Sequence, residues 1–430
     1  MSHRTRQLRV SSLARVEGEG ALRIVVADGH VEDAQLEIYE PPRFFEAFLR
    51  GRAFREAVDI TSRICGICPV AYQTSAWNAI EDAWQVPVDD RISALRRLLY
   101  CGEWISSHAL HIYLLHAPDF LGYPDAVALA RDQRPTVERG LALKKAGNAI
   151  LELVGGRAIH PVNPRVGGFH RAPTAAELAP LAERLRHALD DALTTVRWVA
   201  GFDFPELQLD CELAAVHHPG HYAIEQGDLV TTTRSSFPRR DFLEHVTERQ
   251  VPHSTALYAE LDGRRYLTGP LARYSLNSAQ LSPLARDAAA AAGLEATCGN
   301  PFRSIVVRAV ETVYAVEEAL RIIGSYDRPD PPAADPTPGA GIGHGVSEAP
   351  RGLLYHRYEL DAEGVIRDAT IIPPTSQNQA AIENDLRRIV SANLGLEDAA
   401  LTSLCERTIR NYDPCISCSA HFLDLTVEHR

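Results

Sequence analysis

The sequence predicts a mainly α-helical protein with small β parts: an α+β fold with a central helical bundle and hairpins near the N-terminus and in the C-terminal third. Two observations carry this. Long stretches in the middle of the chain place apolar residues at helical spacing, and two shorter ones alternate about turn signals. The 430 residues exceed the usual size of one simple core, so two domains or one large interwoven domain is expected.

Near the N-terminus, "ALRIVVADGHVEDAQLEIYE" alternates around Asp28-Gly29, a strong hairpin signal. From Pro69 the pattern becomes helical. "PVAYQTSAWNAIEDAW" begins with proline, which suits a first helical position, and carries Val70, Trp77, Ile80 and Trp84 as a stripe. "RISALRRLLYCGEWISSHALHIYLLH" repeats Ile92, Leu95, Leu98, Leu99 and Ile105. "TAAELAPLAERLRHALDDALTTVRWV" opens with a capping-box pattern, Thr174 to Glu177. "FRSIVVRAVETVYAVEEALRIIG" is strongly apolar and stops at Gly324. Residues 327–345, "DRPDPPAADPTPGAGIGHG", read as a Pro/Gly-rich loop. A second hairpin, "RGLLYHRYELDAEGVIRDATII", follows, and the rest of the chain returns to helix.

Composition narrows the function. Apolar residues make up 45% and charged residues 23%, which is ordinary globular usage. Net charge is −12 without a basic block, so binding to a nucleic-acid backbone is not expected. No apolar run reaches the ~18 residues of a membrane span. The first residues, "MSHRTRQLRV", lack the apolar core of a signal peptide. A cytoplasmic protein without a direct membrane span is the expectation.

The eight cysteines are too few for a disulfide scaffold. Four form two C-x-x-C pairs, Cys65/Cys68 in "RICGIC" and Cys415/Cys418 in "DPCISC". Cys101, Cys211, Cys298 and Cys405 stand alone and are expected to be buried as small core residues. Cys65 and Cys68 precede the helix that starts at Pro69, where the macrodipole favours thiolate. One pair alone could be a redox dithiol. Two pairs can converge on one ion. Structural zinc fits such a set; nickel, copper(I) and iron also suit thiolates. A site that joins the start of the chain to its end belongs to the whole fold. The loop at 327–345 is therefore read as internal, and residues 1–430 as a single interwoven domain.

With both pairs in view, the sequence resembles the large, catalytic subunit of a nickel–iron hydrogenase, and the resemblance implies that fold. The matching stretches are "LARVEGEG" (13–20), "RFFEAFLRGR" (43–52), "RICGICPVAYQ" (63–73), "GGRAIHPVNPRVGGF" (155–169), "EAPRG" (348–352), "PPTSQN" (373–378) and "RNYDPCISCSAH" (410–421). The resemblance implies that nickel is held by four thiolates, with Cys65 and Cys415 terminal. Cys68 and Cys418 would bridge to an iron carrying carbonyl and cyanide ligands. It places Pro350, Arg351 and Thr375 around those ligands, and Asp119 and Asp413 beside the metals. Glu46 and His421 would bind magnesium.

The reaction implied is reversible heterolytic cleavage of dihydrogen, which needs a Lewis acid and a base side by side. Cys415 would take the proton and Glu17 would carry it onward. Read alone, "EGEG" is a strand-end carboxylate. Tyr72 and Glu19 stand where the family's common motif has histidine. "CGICPVAYQ" resembles the cytoplasmic, NAD(P)-linked members.

Electrons need a path as well. The chain has no spare cysteine cluster for an iron–sulfur centre and no G-x-G-x-x-G stretch. The expected partners are an iron–sulfur small subunit, together with diaphorase subunits that bind flavin and NAD(P). The resemblance also implies a nickel-insertion factor and a maturation protease that removes residues 422–430 after His421. The alternative is a non-redox structural subunit of the same fold, with zinc held by the four paired cysteines.

Overall fold

Asp28 and Gly29 both have positive φ, and they turn strand β2 (Gly20–Ala27) back onto β3 (His30–Ile38). Strand β1 (Thr5–Val10) pairs antiparallel with β2 on its other side and completes a three-stranded sheet. The predicted hairpin is present; β1 is an addition to it. These relations come from a computed structural model that describes residues 5–41, 43–234 and 236–420.

Two short helices, α1 (Phe45–Leu49) and α2 (Phe54–Ser62), lead to α3 (Pro69–Trp84). Cys68 is the N-cap of α3 and Pro69 its first residue, as the sequence predicts. Asp89 caps α4 (Asp90–Leu110) by accepting from Arg91 N. The helix then widens into a π-helix over His111–His116, a feature frequent at functional sites.

The bundle continues with helices Arg134–Gly155, Ala175–Ala200 and Ser304–Gly324. Thr174 and Glu177 form the predicted capping box. The helix Ser304–Gly324 is buried along most of its length, as a central bundle helix must be. The helices Pro374–Ala392 and Asp398–Arg410 lie near the C-terminus of the described chain.

The predicted second hairpin is the pair Gly352–Leu360 and Ile366–Ile372, but it sits in a three-stranded sheet. The third strand, Gly341–Ala349, begins inside the stretch read as loop 327–345. The reason is packing. Gly343 and Gly345 share one face of the strand, and that face lies directly on α3. A Cβ on Gly343 would lie 1.9 Å from Ala79 O, and one on Gly345 2.0 Å from Ser75 O. The glycines that look like a loop let a sheet press against the helix that carries Cys68.

Between residues 201 and 303 the sequence reading assigned no element, yet strands occur at Glu212–His217, Asp228–Thr231, Val246–Val251, Ser254–Leu261 and Tyr266–Leu267. The N-terminal sheet meets helices of the C-terminal third. Glu383, from the C-terminal third, accepts from Leu36 N at 2.8 Å, and Arg6 donates to Asp398 at 2.6 Å.

Candidate metal centre

The turn "RICGIC" delivers Cys65 and Cys68 at the N-terminus of α3. Ile67 N donates to Cys65 Sγ at 3.3 Å, which fixes the turn. The amides at the start of the helix are occupied too. Glu103, buried on α4, accepts from Val70 N (2.6 Å) and Ala71 N (3.0 Å). Burial pushes its carboxyl well above the usual range. Sequence reasoning missed Glu103; its one signal is a lone carboxylate in the apolar run "LLYCGEWI".

Cys415 and Cys418 arrive from the other end. Asp413, with φ +51, turns the chain after helix Asp398–Arg410. The four sulfurs lie within 4.8 Å of one another and are buried. Cys65 and Cys415 are 3.5 Å apart, Cys68 and Cys418 3.8 Å. Burial pushes the Cys415 thiol up and that of Cys418 up to about 11, whereas hydrogen bonding from Cys415 holds Cys65 below the usual thiol range. Four thiols this close cannot all ionise without a cation among them. A soft cation is the partner that this donor set fits. Among the described residues no other group of three or more His, Cys, Asp or Glu is placed to hold a metal.

Glu17 meets the cluster directly. Cys415 Sγ donates to Glu17 Oε2 at 3.0 Å, and Ser417 N donates to the same oxygen at 3.0 Å. The backbone is tied as well, since Ile416 N donates to Glu17 O at 2.9 Å. The carboxylate thus sits against a buried thiol rather than free at a strand end.

Arg351 stands at the tip of the two-residue turn Pro350-Arg351 between paired Ala349 and Gly352. Its Nε donates to Asp413 O (3.0 Å), its Nη2 to Asp413 Oδ1 (3.2 Å) and its Nη1 to Ser107 Oγ (3.4 Å). Burial opposes its charge, but Asp413 and Cys415, Cys68 and Cys65 outweigh burial and hold its pKa above the usual value. Pro350 O accepts from Arg273 (3.1 Å) and Arg308 (3.2 Å), so the turn is fixed from behind. Thr375 Oγ1 accepts from Cys415 N at 3.0 Å, which leaves its own proton for another acceptor.

Asp119 occupies a different position from Asp413. It binds Arg15 Nη2 (2.5 Å) and Arg410 Nε and Nη2 (2.6 and 2.9 Å). Arg15 also donates to Leu115 O in the π-helix (2.8 Å), and Arg410 donates to Ala14 O (3.1 Å). The triad joins the segment before Glu17 to the segment before Cys415.

Glu46 accepts from Ile371 N at 2.6 Å and lines a cavity of about 30 Å³ with Arg43, Ser417, Cys418 and Ala420. His421 and the tail 422–430 lie outside the described residues. Tyr72 is buried, its ring 5.8 Å from that of His356, and burial pushes its phenol up. Glu19 is exposed. Of the isolated cysteines, Cys101, Cys298 and Cys405 are buried as expected. Cys211 is only half-buried, because it lines an open cleft beside Glu212 and Arg249.

The family model for nickel-dependent hydrogenases matches residues 43–146 and 262–421. The chain is 33% identical to the alpha chain of sulfhydrogenase 1 from Pyrococcus furiosus over 97% of this chain and 98% of that one. It is 30% identical to a chain of the vhu F420-non-reducing hydrogenase of Methanocaldococcus jannaschii, over 88% and 97%. Among solved structures, an NAD+-reducing NiFe-hydrogenase in the H2-reduced state superposes with a TM-score of 0.85 at 26% identity, covering 97% of this chain and 99% of that one. The Ni-Fe-Se hydrogenase of D. vulgaris Hildenborough, at 22% identity and a TM-score of 0.74, shares the fold over 97% of this chain and all of its own.

A buried four-cysteine centre suited to a soft metal ion thus sits on a fold shared with a NiFe-hydrogenase. The chain belongs to the nickel-dependent hydrogenases, as a large subunit, and acts on hydrogen. No helix among the described residues is long and apolar enough to cross a membrane.

Proposed function

We propose that the chain carries out reversible heterolytic cleavage of dihydrogen, with Cys415 as the first proton acceptor and Glu17 as the second. The observation that carries this reading is the 3.0 Å contact between Cys415 Sγ and Glu17 Oε2 inside a buried thiol cluster. A closed structural zinc site has no use for a carboxylate on one of its thiols, so the contact favours a reactive centre.

Cys65, Cys68, Cys415 and Cys418 would hold the nickel, and Cys68 and Cys418 would also hold an iron bearing carbonyl and cyanide. When bound, this group supplies the Lewis acidity that polarises dihydrogen. Cys415 holds the proton on Sγ, and Glu17 Oε2 takes it within hydrogen-bond reach. Arg351 presents a fixed charge to the bound ligands, and Asp413 sets its orientation. Thr375 offers its hydroxyl proton to them, and Pro350 closes the same side. Asp119 holds Arg15 and Arg410, and so sets the distance between Glu17 and Cys415.

Glu46 supplies a carboxylate oxygen for magnesium, with His421 as its partner ligand. Residues 1–430 act as one interwoven domain, and cleavage after His421 removes 422–430. Electrons leave to an iron–sulfur partner chain, since the described residues hold a single cysteine cluster. Likeness to an NAD+-reducing hydrogenase supports NAD(P) as the final acceptor, reached through diaphorase subunits in the cytoplasm.

Metal analysis of the purified complex with hydrogen-dependent dye reduction tests the reading. It predicts nickel and iron together with activity; zinc without activity contradicts it.

A further inference from the structure

Arg273 lies in the helix Pro270–Asn277 and is fully buried. A guanidinium offers five N–H donors in a planar fork, and here each has an acceptor. Nε donates to Glu311 Oε1 at 3.0 Å and Nη2 to Glu311 Oε2 at 3.0 Å. Nη1 donates to Glu348 Oε2 at 3.0 Å and to Ala349 O at 2.6 Å. Nη2 also donates to Pro350 O at 3.1 Å. Glu348, Ala349 and Pro350 are consecutive, and Arg351 is the next residue. One side chain thus binds all three residues that lead into Arg351.

Arg273 is itself held on both sides. Its guanidinium lies over the Trp104 ring, 4.5 Å from the centroid, and Trp104 Nε1 donates to Glu348 O at 2.9 Å. Glu311, on the helix Ser304–Gly324, accepts from Tyr222 OH at 2.8 Å and faces His108 Nε2 at 3.0 Å. The start of the Arg273 helix meets Arg351 directly. Gly269, its N-cap, has φ +109°, and a Cβ there would lie 2.6 Å from Arg351 O. Any side chain at Gly269 would push that carbonyl away. Arg273 N donates to Gly269 O at 2.8 Å, so both contacts with the segment 348–351 come from one helical turn.

We infer that Arg273 is a positioning residue for the hydrogen reaction, which together with Trp104 sets where the Arg351 guanidinium stands beside the four cysteines. The inference rests on the proposed role of Arg351 and extends it one layer outward. Arg351 presents its charge at a fixed place only while its backbone is fixed, and it sits at the tip of a two-residue turn. The competing hold is Arg308, which donates to Pro350 O at 3.2 Å and faces Asp413 Oδ2 at 3.7 Å. Arg308 binds one of the three residues, whereas Arg273 binds them all.

The test is Arg273→Lys in the purified holoenzyme complex. Lysine keeps a positive charge between Glu311 and Glu348. Its donors radiate from a single nitrogen and cannot span two carboxylates and two carbonyls together. The expected result is wild-type nickel content, cyanide infrared bands displaced from their wild-type positions, and turnover reduced about tenfold. Because Arg273 acts through Arg351, adding Arg273→Lys to Arg351→Lys should cost no further turnover. Unmoved bands with nickel retained, or turnover losses that multiply in the double variant, would overturn the inference. A wild-type complex without cyanide bands sinks instead the reading of Arg351 underneath it.

Should Arg273→Lys lose nickel, Trp104→Phe decides. It keeps a ring beneath the guanidinium but removes the hydrogen bond to Glu348 O. Nickel retained with displaced cyanide bands supports the inference. Unmoved bands, or nickel lost again, make the Arg273–Trp104 pair a packing feature and overturn it.

Discussion

The Cys415 thiol donates to Glu17 Oε2 at 3.0 Å across 398 residues of chain. Replacing Glu17 with Gln preserves the shape and an acceptor oxygen for Cys415 and for Ser417 N. The amide cannot take a proton and release it. We expect nickel content and thermal stability to stay at wild-type values, while hydrogen turnover falls by about a hundredfold or more. Lost nickel would make Glu17 a structural residue.

Asp119 pairs with two arginines, and the triad is largely buried: side-chain exposure is 15% for Arg15, 6% for Asp119 and 2% for Arg410. Asp119→Asn takes this counter-charge from Arg15 and leaves Arg410 with Glu406, 3.8 Å away. Breaking a buried pair in this way should destabilise the chain by about 3 kcal/mol, read as a lower thermal midpoint. Turnover should fall too, because Ala14 and Arg15 are held through the same triad. A variant with unchanged stability and activity would remove Asp119 from the account.

Arg351→Lys keeps a positive charge but cannot span Asp413 O, Asp413 Oδ1 and Ser107 Oγ together. The expected outcome is retained nickel with turnover reduced by about tenfold or more. Turnover at the wild-type rate would mean that charge alone is needed at this turn.

The isolated cysteines should be dispensable. Burial pushes Cys211 up to about 12, Cys298 to about 11 and Cys405 to about 12, so none is a reactive thiolate at neutral pH. Ala at Cys101, Cys211 or Cys298 should keep nickel and activity, with stability losses of about 1–2 kcal/mol. If any of these three changes strips nickel, the choice of ligands is wrong.

What could be read from the sequence had local causes. Asp28-Gly29, Pro69 and the Thr174–Glu177 box act within a few residues, and each appears where predicted. The pairing of Tyr266–Leu267 with Glu212–Leu213 depends on distant, short partners, and no periodicity announces it. The strand Gly341–Ala349 was hidden by glycines that serve packing rather than flexibility. The thiols were legible from spacing and motif. Glu103 and Ser417 were not, because their partners come from other elements: Glu103 meets the start of α3, and Ser417 N meets Glu17. The Arg15–Asp119–Arg410 triad shows the same limit, since three separate stretches had to be brought together before the role of Asp119 could be stated.

The central claim is that the four cysteines hold a nickel–iron group with carbonyl and cyanide ligands. An infrared spectrum of the purified, active complex tests it most directly, because such ligands absorb where protein does not. The account predicts carbonyl and cyanide bands that shift when hydrogen is admitted and vanish in Cys68→Ser. A spectrum without such bands, from protein that still contains a metal bound by these four thiols, would contradict it.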